Sequence, residues 1–288
     1  MLIVQKNNPR ALATIRPGII YTAIAMQPAP AQPRRPRRRP VMLIILTLFL
    51  LPLAARAALF AYSGGPPSWR DADWSSTGAL PPAAEHPEAR IIVYSGRTGG
   101  WKGVLSVHSW AVIKRENAKG WSRYDVVGWG NPLRVNGWAP DGRWYGDSPK
   151  AVADVRGAAA TALIPKIEAA IRDYRFNHAG DYRIWPGPNS NSFTAAVLRA
   201  VPELAVALPP NAIGRDFRDG FYAGLTDSGT GIELNLWGFA GVKLGWVEGV
   251  EMNLLGLVAG LDLRHPGVKL PGFGRIGIDT LVPTALAR

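Results

Sequence analysis

The chain has 288 residues, of which 47% are hydrophobic and 19% charged, and it contains no cysteine. This length fits one large domain or two small ones, and the charge content is too low for disorder throughout. The lack of cysteine excludes disulfides, thiolate metal sites and a cysteine nucleophile. The net charge of +12 does not indicate nucleic-acid binding, because eight basic residues and no acid lie in residues 1–40 and the rest is nearly neutral.

The N-terminal part of the chain has the pattern of a membrane anchor. Residues 1–40 form a basic segment that we expect to be disordered, and an apolar run over 41–62 follows, interrupted only by Arg56. A helix of that length is about 33 Å long, enough to cross a bilayer. The run therefore predicts a transmembrane helix or signal anchor, while Ala55-Arg56-Ala57 also fits the cleavage site of a removed signal peptide.

The arginines before the apolar run predict the topology. Positive charge holds the preceding segment in the cytoplasm. We therefore expect a single-pass protein of the bacterial inner membrane, with the bilayer as its partner through residues 41–62 and the main domain in the periplasm.

The segments that follow alternate between strand and helix patterns. Residues 63–88 have the composition of a linker, which Trp69 and Trp74 are expected to hold against the domain or the lipid headgroups. Period-two and helical spacing then predict a first strand, a hairpin, a helix and a short strand, at 89–95, 104–114 with 122–129, 158–174 and 181–185.

The C-terminal part has a different texture. From Thr230 onward, partly alternating runs at 232–237, 242–247 and 250–255 are broken by glycines, which predicts an antiparallel meander. The sequence allows the meander to pack on the main domain or to lie against the membrane with its Trp and Leu side chains. We expect a domain over 89–220 and a β-meander tail over 221–288.

The segment from Trp185 to Phe193 predicts a helix start. It reads Trp-Pro-Gly-Pro-Asn-Ser-Asn-Ser-Phe and precedes an apolar helical run at 194–201. Two prolines and a glycine stop regular structure, and Asn and Ser are strong N-caps. Because unpaired N–H groups at a helix start favour negative charge, Ser190 and Ser192 are candidates for chemistry; the alternative is that both only cap the helix.

Among the four histidines, only His108 lies inside a strongly apolar strand. A rigid strand holds a general base well, although a lone strand histidine is also a common packing residue. No metal-ligand or phosphate-binding motif is present, so we predict neither a metal site nor a cofactor.

The order of these elements resembles the circularly permuted NlpC-type branch of the papain-like peptidases, which includes the lecithin retinol acyltransferase-like proteins. In that group a strand histidine precedes an Asn-Cys-x-x-Phe element that opens a helix. The resemblance places His108 at the histidine and Ser190, within Asn189-Ser190-Asn191-Ser192-Phe193, at the cysteine. The serine is a departure from the pattern, and it needs His108 as a base to become nucleophilic.

The segment from Ile91 to Asp219 also resembles an uncharacterised bacterial family with one N-terminal membrane segment. The shared features are His-Ser-Trp, Tyr-Asp-Val-Val-Gly-Trp-Gly and Trp-Pro-Gly-Pro-Asn-Ser-Asn. This resemblance covers nearly all of residues 41–278 and implies no established activity.

A third group should orient the histidine from the neighbouring strand. Asp125 lies across the predicted hairpin, with Tyr124 and Tyr182 as weaker choices because the register is open. The alternative for Asp125 is a surface residue paired to Arg123 or Lys114. Binding roles are expected for the residues around these groups: Asn189, Asn191, Ser192, Tyr124, Tyr182, Trp110 and Trp185.

Together these features predict an α+β fold with an antiparallel sheet packed with helices, similar to the permuted NlpC or papain-like fold. The leading function is a hydrolase or acyltransferase acting on an envelope amide or ester, with Ser190 as nucleophile, His108 as base and Asp125 as orienting group. The competing function is a non-catalytic envelope protein that keeps the groove for binding.

The predicted topology can be tested with reporter fusions at the C-terminus. Because the arginines hold residues 1–40 inside, a reporter enzyme that works only outside the cytoplasm should be active when fused after Arg288. Activity of a reporter that works only in the cytoplasm would contradict the topology.

Overall fold

The computed structural model describes residues 38–63 and 68–277. Over these residues the chain is an α+β protein with three α-helices and two antiparallel sheets, which confirms the predicted class. The basic segment predicted over 1–40 lies outside the described residues except for its last three, which begin the first helix. Part of the predicted linker and the end of the predicted tail, 64–67 and 278–288, also lie outside them.

The first helix, α1, spans Arg38–Tyr62. Its stretch Pro40–Tyr62 has a mean hydropathy of 2.3, and it is the one helix in the described ranges that is long and apolar enough to cross a membrane. Most of its apolar side chains are exposed. This is the helix that the apolar run predicts.

The first sheet has five strands in the order β4-β3-β2-β1-β5. The predicted hairpin is formed by β2 and β3, which pair antiparallel. Residues 181–185 form no strand, so that prediction is wrong; Pro186 and Pro188 directly after them cannot donate to a ladder. The strands are β1 Arg90–Arg97, β2 Val107–Lys114, β3 Ser122–Val126, β4 Leu133–Val135 and β5 Lys150–Arg156.

The two faces of this sheet pack against different partners. Helices α2 (Gly157–Arg172) and α3 (Ser190–Arg199) cover one face. Short 3-10 helices lie at Ala83–Glu85, Gly100–Val104 and Pro202–Leu204. The other face is covered by tryptophan-rich loops. Side chains alternate between the two layers, as a pleated strand requires.

The segment that the sequence predicts as a linker packs on this second face from Ser68 onward. The Trp74 ring meets the Trp144 ring edge-on with centroids 5.1 Å apart. The buried Asp141 carboxylate accepts hydrogen bonds from Ser76 Oγ at 2.6 Å and from the Ala79 N–H at 2.8 Å. This end of the segment therefore forms part of the domain's structure.

The second sheet is a seven-stranded meander in the order β12-β11-β10-β9-β8-β7-β6. It has more strands than the three that the sequence predicts, and it begins before Thr230. One face packs on the segment that contains Arg215, Asp216 and Arg218. The strands are β6 Phe221–Leu225, β7 Gly231–Leu236, β8 Ala240–Gly245, β9 Gly249–Leu254, β10 Leu257–Asp262, β11 Gly267–Leu270 and β12 Gly274–Gly277.

The face of the meander turned toward the domain is a buried layer of paired charges. Lys243 Nζ lies 2.6 Å from Asp216 Oδ1 and 3.8 Å from a carboxylate oxygen of Glu233. Arg218 pairs with Asp227 at 2.7 Å and also with Glu233. Burial lowers the pKa of Lys243, but the neighbouring carboxylates raise it by more, so this side chain stays charged.

Removal of Lys243 should therefore be costly. We expect Lys243→Ala to lower the free energy of unfolding by about 3–5 kcal/mol, because the carboxylates around it lose a buried counter-charge. Denaturant unfolding of the full chain in detergent measures this. The exposed Lys119→Ala is the control and should stay within about 0.5 kcal/mol of wild type; an equal, small effect of both variants would contradict the role of the layer.

Candidate active site

The start of α3 is built by a capping box. Asn189 is the N-cap, and its Oδ1 accepts hydrogen bonds from the N–H groups of Asn191 and Ser192, both at 3.0 Å. Ser192 Oγ accepts in return from the Asn189 N–H at 2.7 Å. Ser192 is therefore a capping residue, as one of the two sequence interpretations has it. Ser190, the first residue of α3, is buried, and its Oγ has no hydrogen-bond partner in the described part of the chain.

Amide side chains fix this helix start to the sheet. Asn191 Nδ2 donates to the main-chain oxygens of Val107, at 2.9 Å, and of Ile213, at 2.8 Å. Asn189 Nδ2 also donates to the Ile213 oxygen. The adjoining Gly214 has a φ of +99°, and a Cβ there would lie 2.2 Å from Asn189 Nδ2, so only glycine fits.

His108 on β2 and Asp125 on β3 form a buried hydrogen-bonded pair. His108 Nε2 lies 2.7 Å from Asp125 Oδ1, and their side chains are 5% and 0% exposed. Arg123 holds the same carboxylate from the other side, with Nε 2.6 Å from Asp125 Oδ2. Asp125 is therefore not a surface residue, although it contacts Arg123 as well as the histidine. Lys114 is not its partner and donates to the Glu88 oxygen.

Tryptophans pack around this group. The His108 ring stacks on Trp144 with centroids 3.7 Å apart and an interplanar angle of 6°. The Arg123 guanidinium lies over the Trp110 ring, 4.1 Å from its centroid. The indole N–H of Trp110 donates to the Pro140 oxygen. The aromatic layer shields the ion pair from water, which strengthens it.

The environment sets the protonation of the pair. Burial lowers the pKa of His108 below its usual value, against the raising effect of Asp125. Burial raises the pKa of Asp125, but the hydrogen bond from His108 and the charge of Arg123 lower it by more. Asp125 is therefore ionised at neutral pH and can only accept, so Nε2 of neutral His108 carries the proton and Nδ1 presents a lone pair. This is the form of histidine that acts as a base.

A cavity of about 1100 Å³ opens at the end of the sheet and is lined by both His108 and Ser190. Asn189 and Asn191 also line it, and Asn191 Oδ1 is buried without a hydrogen-bond partner in the described residues. Most of the remaining wall is aromatic and aliphatic, including Trp69, Trp101, Trp129, Trp138, Trp144 and Tyr145. The cavity combines a few polar groups with a large apolar volume, as small-molecule sites do.

The two central side chains reach this cavity from different layers. In β2, His108 shares the face of Trp110, while Val107 and Ile113 contact the helix layer that carries Ser190. The cavity lies where the chain leaves β3, at residues 126–129, and side chains from both layers line it. No hydrogen bond among the described residues joins His108 to Ser190.

The other residues predicted for binding fall into two groups. Tyr182 and Trp185 line the cavity, and Trp185 Nε1 donates to the Leu255 oxygen at 2.8 Å, which links the site to the meander. Trp110 is fully buried beneath Arg123, Ser192 is occupied in the capping box, and Tyr124 packs in the helix-side core. None of these three lies on the cavity wall, so each acts through its neighbours.

Two features of the site are not predicted from the sequence. The sequence gives Arg123 only as a surface partner of Asp125, although its position two residues away puts both on one face of β3. The stacking of Trp144 on His108 joins distant segments, and no periodic pattern marks it. Within residues 38–63 and 68–277, no group of three or more His, Asp or Glu side chains is placed to hold a metal ion.

The fold and the site define an α+β domain with a buried His-Asp pair on an apolar cavity, preceded by an apolar helix. Residues 88–217 match the family described as protein of unknown function, DUF3750, so this part of the chain is similar to an uncharacterised family. The matched residues include His108, Asp125 and Ser190 and end before the meander. No curated protein and no solved structure matches the chain.

The buried histidine should make stability depend on pH. Because folding lowers the pKa of His108, the unfolded chain binds its proton more readily, so the free energy of unfolding should fall as pH drops below about 6.5. The loss is limited to about 1.4 kcal/mol per pH unit for one group. Chemical unfolding at pH 7.5 and 5.5 should show a smaller difference in His108→Gln than in wild type.

The exposed His86→Gln provides the control for this measurement. It should keep the wild-type dependence on pH. If His108→Gln also kept the full dependence, the buried neutral histidine would be contradicted.

Proposed function

We propose that this protein is a serine-dependent hydrolase or acyltransferase acting on an amide or ester of the bacterial envelope, such as peptidoglycan peptide or lipid. In this proposal α1 anchors it in the cytoplasmic membrane and the domain lies on the periplasmic side. The observation that carries the proposal is the buried His108-Asp125 pair, because His108 lines the same cavity as Ser190.

The proposed reaction is acyl transfer through Ser190. Its Oγ attacks the substrate carbonyl carbon while His108 Nδ1 takes the hydroxyl proton, and Asp125 stabilises the imidazolium that forms. The proton then passes to the leaving amine or alcohol as the acyl-serine forms. Water or an acceptor hydroxyl releases the acyl group in a second step of the same kind.

The helix start supplies stabilisation for the negative charge of this reaction. The capping box pairs the N–H groups of Asn191 and Ser192. The N–H of Ser190, at the start of α3, takes no part in it. A helix N-terminus favours an oxyanion by its dipole and its unpaired donors. The unpartnered Asn191 Oδ1 is available to accept a hydrogen bond from a substrate N–H or O–H.

The resemblance to the permuted NlpC-type proteins supports the same assignment. The order of a strand histidine and then a nucleophile at a helix start is present in His108 and Ser190, and Asp125 lies on the strand next to His108. Serine in place of cysteine makes the base more important, because a hydroxyl is not ionised near neutral pH.

A second candidate function is ligand binding without catalysis. The observation that favours it is the missing hydrogen bond between His108 and Ser190, which must approach one another for the reaction. Catalytic hydrogen bonds often tighten only with substrate bound. The two functions differ in whether Ser190 forms a covalent bond.

Labelling of the full chain by a fluorophosphonate probe separates them. Wild type should be labelled at Ser190, and Ser190→Ala and His108→Gln should each lose labelling by several orders of magnitude. The double variant should be no worse than either single one, because the two groups act as a unit.

Ser192→Ala is the matched control from the same helix start. It should lose about 1 kcal/mol of stability with the cap contact and keep its labelling. If folded wild-type protein is not labelled at all, or if Ser190→Ala is labelled equally, the catalytic proposal is wrong and the binding function remains.

A further inference from the structure

The meander has its polar and apolar faces reversed relative to an ordinary surface sheet. In such a sheet the apolar face packs on the core and the polar face meets water. Here the outward residues of β7, β8 and β9 are apolar, and Ile232 and Leu244 are 63% and 55% exposed. The outer face consists chiefly of Ile232, Leu234, Leu236, Val242, Leu244 and Val250.

The inner face fixes this orientation. Glu251 pairs with Arg215 and, at 2.6 Å, with Lys269 Nζ, and all three are buried. Asn235 Nδ2 donates to the Asp216 oxygen at 2.7 Å. A slip by one residue would move every charged side chain of a strand outward and leave its partners unpaired. The apolar outer face is therefore a fixed property of the folded sheet.

The turns of the meander extend the apolar surface. Trp237 and Leu255 are exposed and have φ values of 52° and 55°, a backbone region that bulky side chains rarely adopt. Asn or Gly is the ordinary choice at such positions. Trp246, in the turn after β8, is 60% exposed. Large apolar side chains thus stand where local backbone energetics favours small or polar ones.

The position of α1 identifies what covers this surface. α1 contacts the domain around Leu53 and Arg56: Leu53 lines the cavity together with Trp69 and Trp101, and Arg56 is half-buried. Gly272, in the turn between β11 and β12, approaches α1 so closely that a Cβ there would lie 3.2 Å from Arg56 Cγ. The meander is therefore packed beside the anchor helix.

This packing determines the depth of the domain in a bilayer. The contact at Leu53 lies about 14 Å along the helix before the end of α1 at Tyr62, roughly half of the 30 Å hydrocarbon thickness. A bilayer that α1 spans must therefore meet the domain within its outer leaflet. The exposed apolar sheet beside α1 is the surface that tolerates this contact.

We propose that the outer face of the meander lies on the same bilayer that α1 crosses, with its aliphatic side chains among the lipid acyl chains. The sheet lies flat on the membrane, so that only side chains enter the hydrocarbon and the open edges at β6 and β12 stay outside it. Trp237 and Trp246 lie at the headgroup level, where tryptophan is favoured. This proposal needs α1 in the membrane and does not depend on catalysis at Ser190.

A single introduced cysteine tests the proposal, because the chain has none of its own. Leu244→Cys in the full chain is labelled with a small fluorophore and placed in phosphatidylcholine–phosphatidylglycerol nanodiscs, which leave both leaflets accessible. The control is Lys119→Cys in the β2–β3 loop. We expect nitroxide-labelled lipid to quench the fluorophore at residue 244 several-fold more strongly than the control, and iodide to quench it several-fold more weakly. If Leu244→Cys does not fold, Val250→Cys replaces it, because Val250 pairs with Leu244 across the strands.

Two results would overturn the proposal. Quenching by iodide equal to that of Lys119→Cys would show that the face meets water. Protection from both quenchers, together with disulfide cross-linking of Leu244→Cys to a second copy, would show that another chain covers it.

Discussion

The Asp125 carboxylate is the group on which the site depends. It is fully buried, and a buried charge is tolerated only when it is paired. Arg123 supplies the opposite charge and His108 the hydrogen bond, which fixes the proton of the imidazole on Nε2. The aromatic layer of Trp110 and Trp144 keeps water out. The loop that carries Trp144 therefore belongs to the site as much as the strands that carry His108, Trp110 and Asp125.

The arrangement of layers explains where the site lies. The sheet separates the helix layer with Ser190 from the aromatic layer with His108, and side chains of both layers line the cavity at the N-terminal end of β2, where the chain leaves β3. The amide of Asn191 fixes the helix start to Val107 at that point. The family match covers both layers and this junction, and so includes every group of the proposed reaction.

The two sheets bury opposite kinds of side chain. The first buries apolar side chains on both faces, whereas the meander buries paired charges and exposes aliphatic side chains. The contact of Trp185 with the Leu255 oxygen joins the meander to the cavity wall. In the proposed arrangement, this places the cavity beside the membrane, where a substrate with an apolar part is concentrated.

The sequence by itself determined the local elements of this protein: the apolar helix up to Tyr62, the hairpin that carries His108 and Asp125, and the helix start at Asn189. These follow from hydrophobic periodicity and capping, which act over a few residues. The short strand predicted before Pro186 is absent, because two prolines cannot donate hydrogen bonds to a neighbouring strand. Only the tertiary structure decided the partnership of Arg123, the aromatic cover and the outward apolar face of the meander, because strand register and long-range packing depend on residues far apart in the chain.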